Sequence, residues 1–386
     1  MRRWPALALA ALALVGCARR PARVVFGIAL TKSSHPAVIL ARKEINAAGG
    51  IGGVPLELAG LDWSVRDEFD PADILRRVAQ FDAMPGLLAV IGPSDSASTL
   101  SAAASLNQRG LPEIVTIATH PAITRIGDYT YRLCVSDAAQ GPALADYAVH
   151  DWGKRRAAVF HVNDDYGWGL AHHFEKRMAQ LGKEVVAAVP LRNELDAEDR
   201  ALVRATARRL AADPPDLVVL LQRVGAAHQT LLLLREAGIT ADVLCGDNLM
   251  LPSFWQNRMD LKQGVRLSSF FLASSQAQPG DWGSPGASAE SHSFVERFRA
   301  ERHADPDYGH AFAYDAVHLL RDAVLHGGYS RQGVKAYLDR LVRDQEVIDG
   351  VTGAYKLGAD HDAKRRISIV EIHGKGLRFL KSVRAG

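Results

Sequence analysis

The segment Ile91-Gly92-Pro93-Ser94-Asp95-Ser96-Ala97-Ser98-Thr99 sets hydroxyl side chains where a short apolar run gives way to a helix start. Unpaired backbone amides and the helix dipole favour an anion at such a turn, so Ser96 could hold a carboxylate. The same residue types are preferred helix caps, and Asp95 would repel an anion if it pointed inward. On the residues alone, capping therefore stands ahead of binding. The spacings that build a catalytic centre are missing: there is no Gly-x-Ser-x-Gly elbow, no phosphate loop and no His-Glu-x-x-His. Gly49, Gly50, Gly52 and Gly53 follow a helical stretch instead of a strand, the wrong context for a dinucleotide fingerprint, and read as a turn. His172 and His173 are neighbours on a helix and point apart, so they form no two-histidine metal face. His303, Asp305, Asp307 and His310 could meet a cation, although loop polarity explains them more simply. Cys134 and Cys245 each sit in an apolar segment and read as two buried free thiols in preference to a bridge. The expectation is a protein that is not an enzyme and carries no metal and no cofactor.

These residues are spaced along an α/β pattern. From Val24 short apolar runs alternate with amphipathic stretches, the pattern of parallel strands joined by crossover helices. Strands are expected at Val24 to Leu30, Leu56 to Leu61, Leu87 to Gly92 and Glu113 to Ile117. Asp70-Pro71 supplies an N-cap and a first-turn proline, while Gly49 and Gly110 suit the left-handed position after a helix. A second series follows at Ala157 to Val162, Glu184 to Val189, Asp216 to Leu221, Asp242 to Cys245 and Leu267 to Phe271. Ala273 to Ser291 is rich in Ser, Gly, Pro and Ala and reads as a long surface loop. Helices are expected over Ser291 to Ala304, Asp307 to His326 and Ser330 to Arg343. The chain should end in a hairpin region, Gly350 to Leu357 and Ile367 to His373.

The N-terminus reads as an export signal. Arg2 and Arg3 precede an apolar run from Trp4 to Gly16 that is too short to span a bilayer as a mature helix. It stops at Leu14-Val15-Gly16-Cys17, which looks like a bacterial lipoprotein box, so residues 1–16 would be removed and Cys17 lipidated. Acyl chains contribute about 0.8 kcal/mol per buried methylene, enough for a triacylated Cys17 to tether residues 17–22 and the rest of the chain to a membrane. The formal charge of +3 falls to about +1 without Arg2 and Arg3, leaving no basic field to recruit nucleic acid.

Six stretches carry a resemblance: Glu44-Ile45-Asn46-Ala47-Ala48-Gly49-Gly50-Ile51-Gly52-Gly53, Val90-Ile91-Gly92-Pro93, Ala118-Thr119-His120-Pro121, Asp164-Asp165-Tyr166-Gly167-Trp168-Gly169, Tyr314-Asp315-Ala316-Val317 and Asp349-Gly350-Val351-Thr352-Gly353. In that order they resemble the leucine/isoleucine/valine-binding proteins, the amino-acid solute receptors of ABC importers with the type I periplasmic-binding fold. The resemblance implies two Rossmann-like lobes with parallel central sheets, joined by three hinge crossings around a ligand cleft. One lobe would take residues 23–140 plus 271–347, and the other 141–270 plus 348–386. It further implies that Ser96, Ala118 and Thr119 grip an amino acid's carboxylate, that Tyr166 is the aromatic of the second lobe, and that Asp247 takes the ammonium. Residues 30–36 are several residues shorter than the usual loop there, bringing Lys32 and His35 close to the cleft mouth and admitting a more acidic or polar ligand. The implied partners are a small amino-acid-like ligand and an ABC permease, for a monomeric, exported, lipid-anchored receptor. The alternative implied by the same fold is a ligand-sensing or protein-interaction lipoprotein, as in activators of cell-wall synthases.

Overall fold

The computed structural model describes residues 20–60, 70–273 and 288–385. The export signal, Cys17 and residues 274–287 of the long loop lie outside the described residues.

Two sheets organise the chain. The first half supplies β1 (Val24–Ile28), α1 (His35–Ala47), β2 (Leu56–Ala59), α2 (Pro71–Asp82), β3 (Leu87–Ile91), α3 (Ser96–Gln108), β4 (Glu113–Val115) and β5 (Thr130–Arg132). Next come α4 (Asp137–Asp146), β6 (Arg156–Val162), α5 (Asp165–Gln180), β7 (Glu184–Leu191), α6 (Ala197–Ala212), β8 (Leu217–Leu221), α7 (Val224–Glu236), β9 (Asp242–Cys245), α8 (Pro252–Trp255) and β10 (Arg266–Ser269). The remainder holds α9 (Ala289–Arg302), α10 (Tyr308–Gly327), α11 (Arg331–Asp344), β11 (Lys356–Leu357), β12 (Ala363–His373) and β13 (Gly376–Ala385).

The first sheet is parallel, in the order β2-β1-β3-β4-β5. The second runs β7-β6-β8-β9-β10 in parallel, and β12 then pairs antiparallel with β10 and carries β11 and β13 at its sides. Every residue of β1, β3 and β8 is buried, as expected of parallel strands covered on both faces by helices. The helices announce themselves locally. Asp70 caps α2 by accepting from Ala72 N at 2.9 Å, and Ile74, Val78 and Phe81 turn one face of that helix to the core. Gly49 and Gly110 take positive φ after α1 and α3, as their positions required. Although they follow β10 of the second sheet, α9 and α10 pack against α1, and α11 against β3, so they belong with the first sheet.

One expectation needs correction in part. Lys356–Leu357 of β11 does pair antiparallel with β12, but the long closing hairpin is formed by β12 and β13, and residues 348–355 make a turn closed by a single Ile348–Tyr355 bridge. Along β13, Arg378, Lys381 and Arg384 interrupt the apolar run and disguise the strand. β5 was equally hidden, because its buried Arg132 reads as surface until its distant counter-ion is known. The cation candidates have structural roles: Asp307 and His310 form the capping box of α10, and Asp305 pairs with Arg299. Cys134 and Cys245 are both buried and free. Among the described residues no helix is long and apolar enough to cross a membrane.

Candidate functional site

The question of whether Ser96 caps a helix is answered by its neighbour. Asp95 caps α3, its carboxylate accepting from Ser98 N at 2.8 Å, and Ser96 is the first helical residue. Ser96 is thereby freed; it is buried, and its Oγ accepts from the backbone N–H of His120 at 3.4 Å. Ala118 and Thr119 lie just beyond β4, both buried. The fully buried Arg132 holds this segment in place: its Nη1 donates to the carbonyls of His120 at 2.8 Å and Ala118 at 3.4 Å. The Cys134 thiol also donates to the Ala118 carbonyl.

From the second sheet come Tyr166, in the first turn of α5, and Asp247, in the turn after β9. Asp164 caps α5 by accepting from Gly167 N at 2.9 Å. Asp247 is not a cap; it is 2% exposed, and its Oδ1 accepts from the Tyr166 hydroxyl at 3.1 Å and from Gln140 Nε2 at 2.9 Å. Gln140 also donates to Ser268 Oγ at 2.9 Å, which joins α4 to β10.

Asp137 stands between the two groups. Its backbone N–H donates to the Thr119 carbonyl at 2.9 Å. A Cβ built on Gly169 would stand 2.8 Å from Asp137 Oδ2 and 3.3 Å from the His120 ring. A Cβ on Gly246 would likewise stand 2.7 Å from the Tyr166 hydroxyl. Gly169 is small so that α5 can pack against Asp137 and His120, and Gly246 so that the β9 turn can pack against Tyr166 of α5. The structure thus brings Ser96, Thr119, Tyr166 and Asp247 into one connected buried region. Ala118 adds a carbonyl that Arg132 and Cys134 already engage.

Burial dominates the electrostatics. It holds the Asp247 carboxyl above the usual carboxylate range, against the opposing pull of the bonds from Gln140 and Tyr166. Asp137 is held well above that range by burial, reinforced by the nearby charge of Asp247. Burial also raises the Tyr166 and Tyr308 hydroxyls, with Asp247 adding to both, and lowers the His120 imidazole. The Thr119 hydroxyl lies against the Asp137 carboxylate and opposes part of its upward shift, whereas Gln140 Oε1 completes no hydrogen bond within the described residues. Buried polar atoms are almost always paired, so the unmatched Gln140 oxygen beside two buried acids is where a polar group from outside would be satisfied. Among the described residues neither Asp137 nor Asp247 forms an ion pair, although the charges of Arg132 and Arg223 act on them through space, and hydroxyls and amides lie at a helix start. The region is suited to grip a molecule with separate positive and negative ends.

Asp137, Gln140 and Tyr308 were not singled out from the sequence. Ser136-Asp137 reads as an ordinary helix start, and Gln140 gains meaning only through Asp247, 107 positions away. The one available signal was polar residues directly following the apolar Leu133-Cys134-Val135.

Comparison with known proteins agrees with this architecture. The family model described as "Periplasmic binding protein" matches residues 26–376. An amino acid binding protein of Pseudomonas aeruginosa is 30% identical over 212 residues, 54% of this chain and 54% of that protein. The leucine-specific-binding protein of Salmonella typhimurium is 33% identical over 145 residues, 37% of this chain and 38% of that protein. The chain thus spans about half the length, or less, of the curated relatives it matches. A leucine binding protein from Thermotoga maritima superimposes with a TM-score of 0.78 at 21% identity, over 94% of this chain and 99% of that one. An isoleucine-bound branched-chain amino acid transporter substrate binding protein from Streptococcus pneumoniae gives 0.78 at 22%, over 94% and 100%. A Rhodopseudomonas palustris solute binding protein in complex with 3,4-dihydroxy benzoic acid gives 0.78 at 18%, over 95% and 98%. With a two-lobed α/β fold and a family match over nearly its whole length, this chain belongs to the periplasmic binding protein family, a family of solute-binding proteins and not of enzymes.

Proposed function

We propose that this protein captures an amino acid, or a close relative with an ammonium and a carboxylate, between its lobes and delivers it to an ABC importer. The observation that carries the reading is Asp247: a buried carboxylate, oriented by Tyr166 and Gln140, that forms no ion pair among the described residues. An ammonium in a dry cleft needs such a counter-charge. Ser96 and Thr119, at the start of α3 and beyond β4, are the groups for the carboxylate, with the N-terminus of α3 adding its dipole. Isoleucine and 3,4-dihydroxy benzoic acid, the ligands in two complexes of this fold, both carry a carboxylate.

The lobes in this reading are residues 23–140 plus 271–347 and residues 141–270 plus 348–386, supported by the sheet to which each strand belongs and by the packing of α9 to α11. Closure would be a hinge motion driven by contacts to both lobes. Lys32 is exposed in the short 30–36 loop and His35 Nε2 is bonded to the Leu30 carbonyl at 3.0 Å, so Lys32 is the group free to favour an acidic ligand. Export and lipidation of Cys17 would place the receptor outside the cytoplasmic membrane.

The test is a thermal-shift screen against the amino acids and their amides, acids and ureas. A ligand at a hundred times its dissociation constant stabilises the native state by about 2.7 kcal/mol. One sharp hit, lost in Ser96→Ala and Asp247→Ala, supports the reading. Persistence of the hit in both variants rejects the site. Silence across the panel favours the protein-interaction lipoprotein, for which the short first loop is the supporting feature.

A further inference from the structure

A separate hollow of about 440 Å³ opens between the first turn of α9, the middle of α10 and the loop at residues 348–355. None of the cleft residues Ser96, Ala118, Thr119, Tyr166 and Asp247 lines it. Its volume falls within the range of small-molecule sites, roughly 300–1,000 Å³.

His318 gives the hollow a defined chemistry. Arg321 Nη1 can only donate, and it meets His318 Nδ1 at 2.9 Å, so Nδ1 accepts and the ring proton sits on Nε2. Burial, with help from the Arg321 and Arg297 charges, pushes this imidazole down to about 3, so it is neutral throughout the physiological range. Nε2 is buried and has no partner among the described residues. A buried N–H donor left in this state is unfavourable, which an acceptor reaching it from the hollow would relieve.

The charges of the lining are unbalanced. Arg297 bonds to Glu44 at 2.7 Å and Arg321 to Asp322 at 2.7 Å, so both cations are already matched. Asp315 is occupied with the wall itself, accepting from Val351 N at 2.8 Å and Thr352 N at 3.0 Å. Glu290 and Asp349 line the hollow as exposed carboxylates, and neither enters an ion pair among the described residues. A first-turn position on α9 accounts for Glu290 as a helix-dipole partner, but not for Asp349 or the orphaned donor. Between them lie apolar surfaces: Leu319, Ile348, Val351 and the ring of Tyr355.

We propose that this hollow is a second ligand site, selective for a small organic amine with an aromatic or apolar body. The ammonium meets Glu290 and Asp349, the body lies on Leu319, Ile348 and Tyr355, and a hydrogen-bond acceptor at the far end meets His318 Nε2–H. Tyramine carries all three features; phenethylamine lacks the acceptor and 4-ethylphenol lacks the charge.

Isothermal titration calorimetry of the purified protein with these three probes tests the assignment. Tyramine is expected to bind at least about tenfold more tightly than either analogue, a difference of about 1.4 kcal/mol. His318→Phe should abolish binding, and Glu290→Gln with Asp349→Asn should weaken it about tenfold; the latter pair is exposed, so the test survives if His318→Phe fails to fold. Ser96→Ala and Asp247→Ala, which belong to the cleft, should leave tyramine binding unchanged. Absence of tyramine binding at about 10 mM, equal binding of all three probes, or loss of binding in Asp247→Ala but not in His318→Phe would overturn the proposal.

Discussion

Arg132 and Asp362, 230 positions apart, form a buried ion pair in which Arg132 Nε donates to Asp362 Oδ1 at 2.8 Å. Asp362 also accepts from the Thr124 hydroxyl at 3.1 Å. The far side of the guanidinium grips the Ala118 and His120 carbonyls, so one arginine ties the start of β12 to the segment that carries Thr119. Asp362→Asn leaves the Arg132 charge buried and unmatched, which should destabilise the protein by about 3–5 kcal/mol in urea unfolding. A double replacement, Arg132→Met with Asp362→Leu, should restore much of that loss. A single-variant loss under about 1 kcal/mol would show that the pair is not what holds the segment.

Gly169→Ala probes closure. The added methyl would meet the buried Asp137 carboxylate and the His120 ring, a contact too close to be absorbed without displacing one of those side chains. Ligand affinity for the proposed cleft should fall by at least about tenfold, beyond what any loss in the unfolding midpoint of the ligand-free protein accounts for. An unchanged affinity by calorimetry would mean that α5 and the 118–120 segment do not approach in the ligand-bound state.

Tyr166→Phe removes one of the two side-chain donors to Asp247 and keeps the ring. The cost in stability should be about 1 kcal/mol. Its effect on the cleft ligand should be larger on ammonium-bearing molecules than on their deaminated analogues if Asp247 meets the ammonium as proposed, because the hydroxyl orients that carboxylate. Equal losses for the two classes would separate Tyr166 from Asp247 in function.

Glu113 gives a pH signature. It is fully buried on β4, its Oε2 accepts from the Thr130 hydroxyl at 2.8 Å, and burial pushes its carboxyl up to about 8. The native state therefore keeps a proton that the unfolded chain releases. The contribution is fully present below the unfolded value near 4.5 and is lost as pH rises toward about 8, with a slope approaching about 1.4 kcal/mol per pH unit. Glu113→Gln cannot titrate, so the difference between wild-type and variant stability should change across this window and be flat below it. A flat difference from pH 5 to 8 by urea unfolding would show that Glu113 is ionised in the native state.

The strand–helix alternation, the cap at Asp70 and the glycine turns were all legible, because each depends on residues within a few positions of one another. The proposed site residues Ser96, Thr119, Tyr166 and Asp247 were named through the resemblance to a family, which also ranked Ser96 above a helix cap. The structure reached the same freedom for Ser96 by another route, giving the capping role to Asp95.

The partnerships were not legible. The sequence by itself determined the periodicity, the turns and the absence of catalytic spacings, since backbone propensity and burial periodicity act over short separations. Only the tertiary structure decided that Gln140 faces Asp247, that Arg132 finds Asp362, and that His318 is left with an unmatched N–H. A buried polar side chain is stable only with its partner, and here those partners, or the lack of one, are set by how two sheets and their crossings pack.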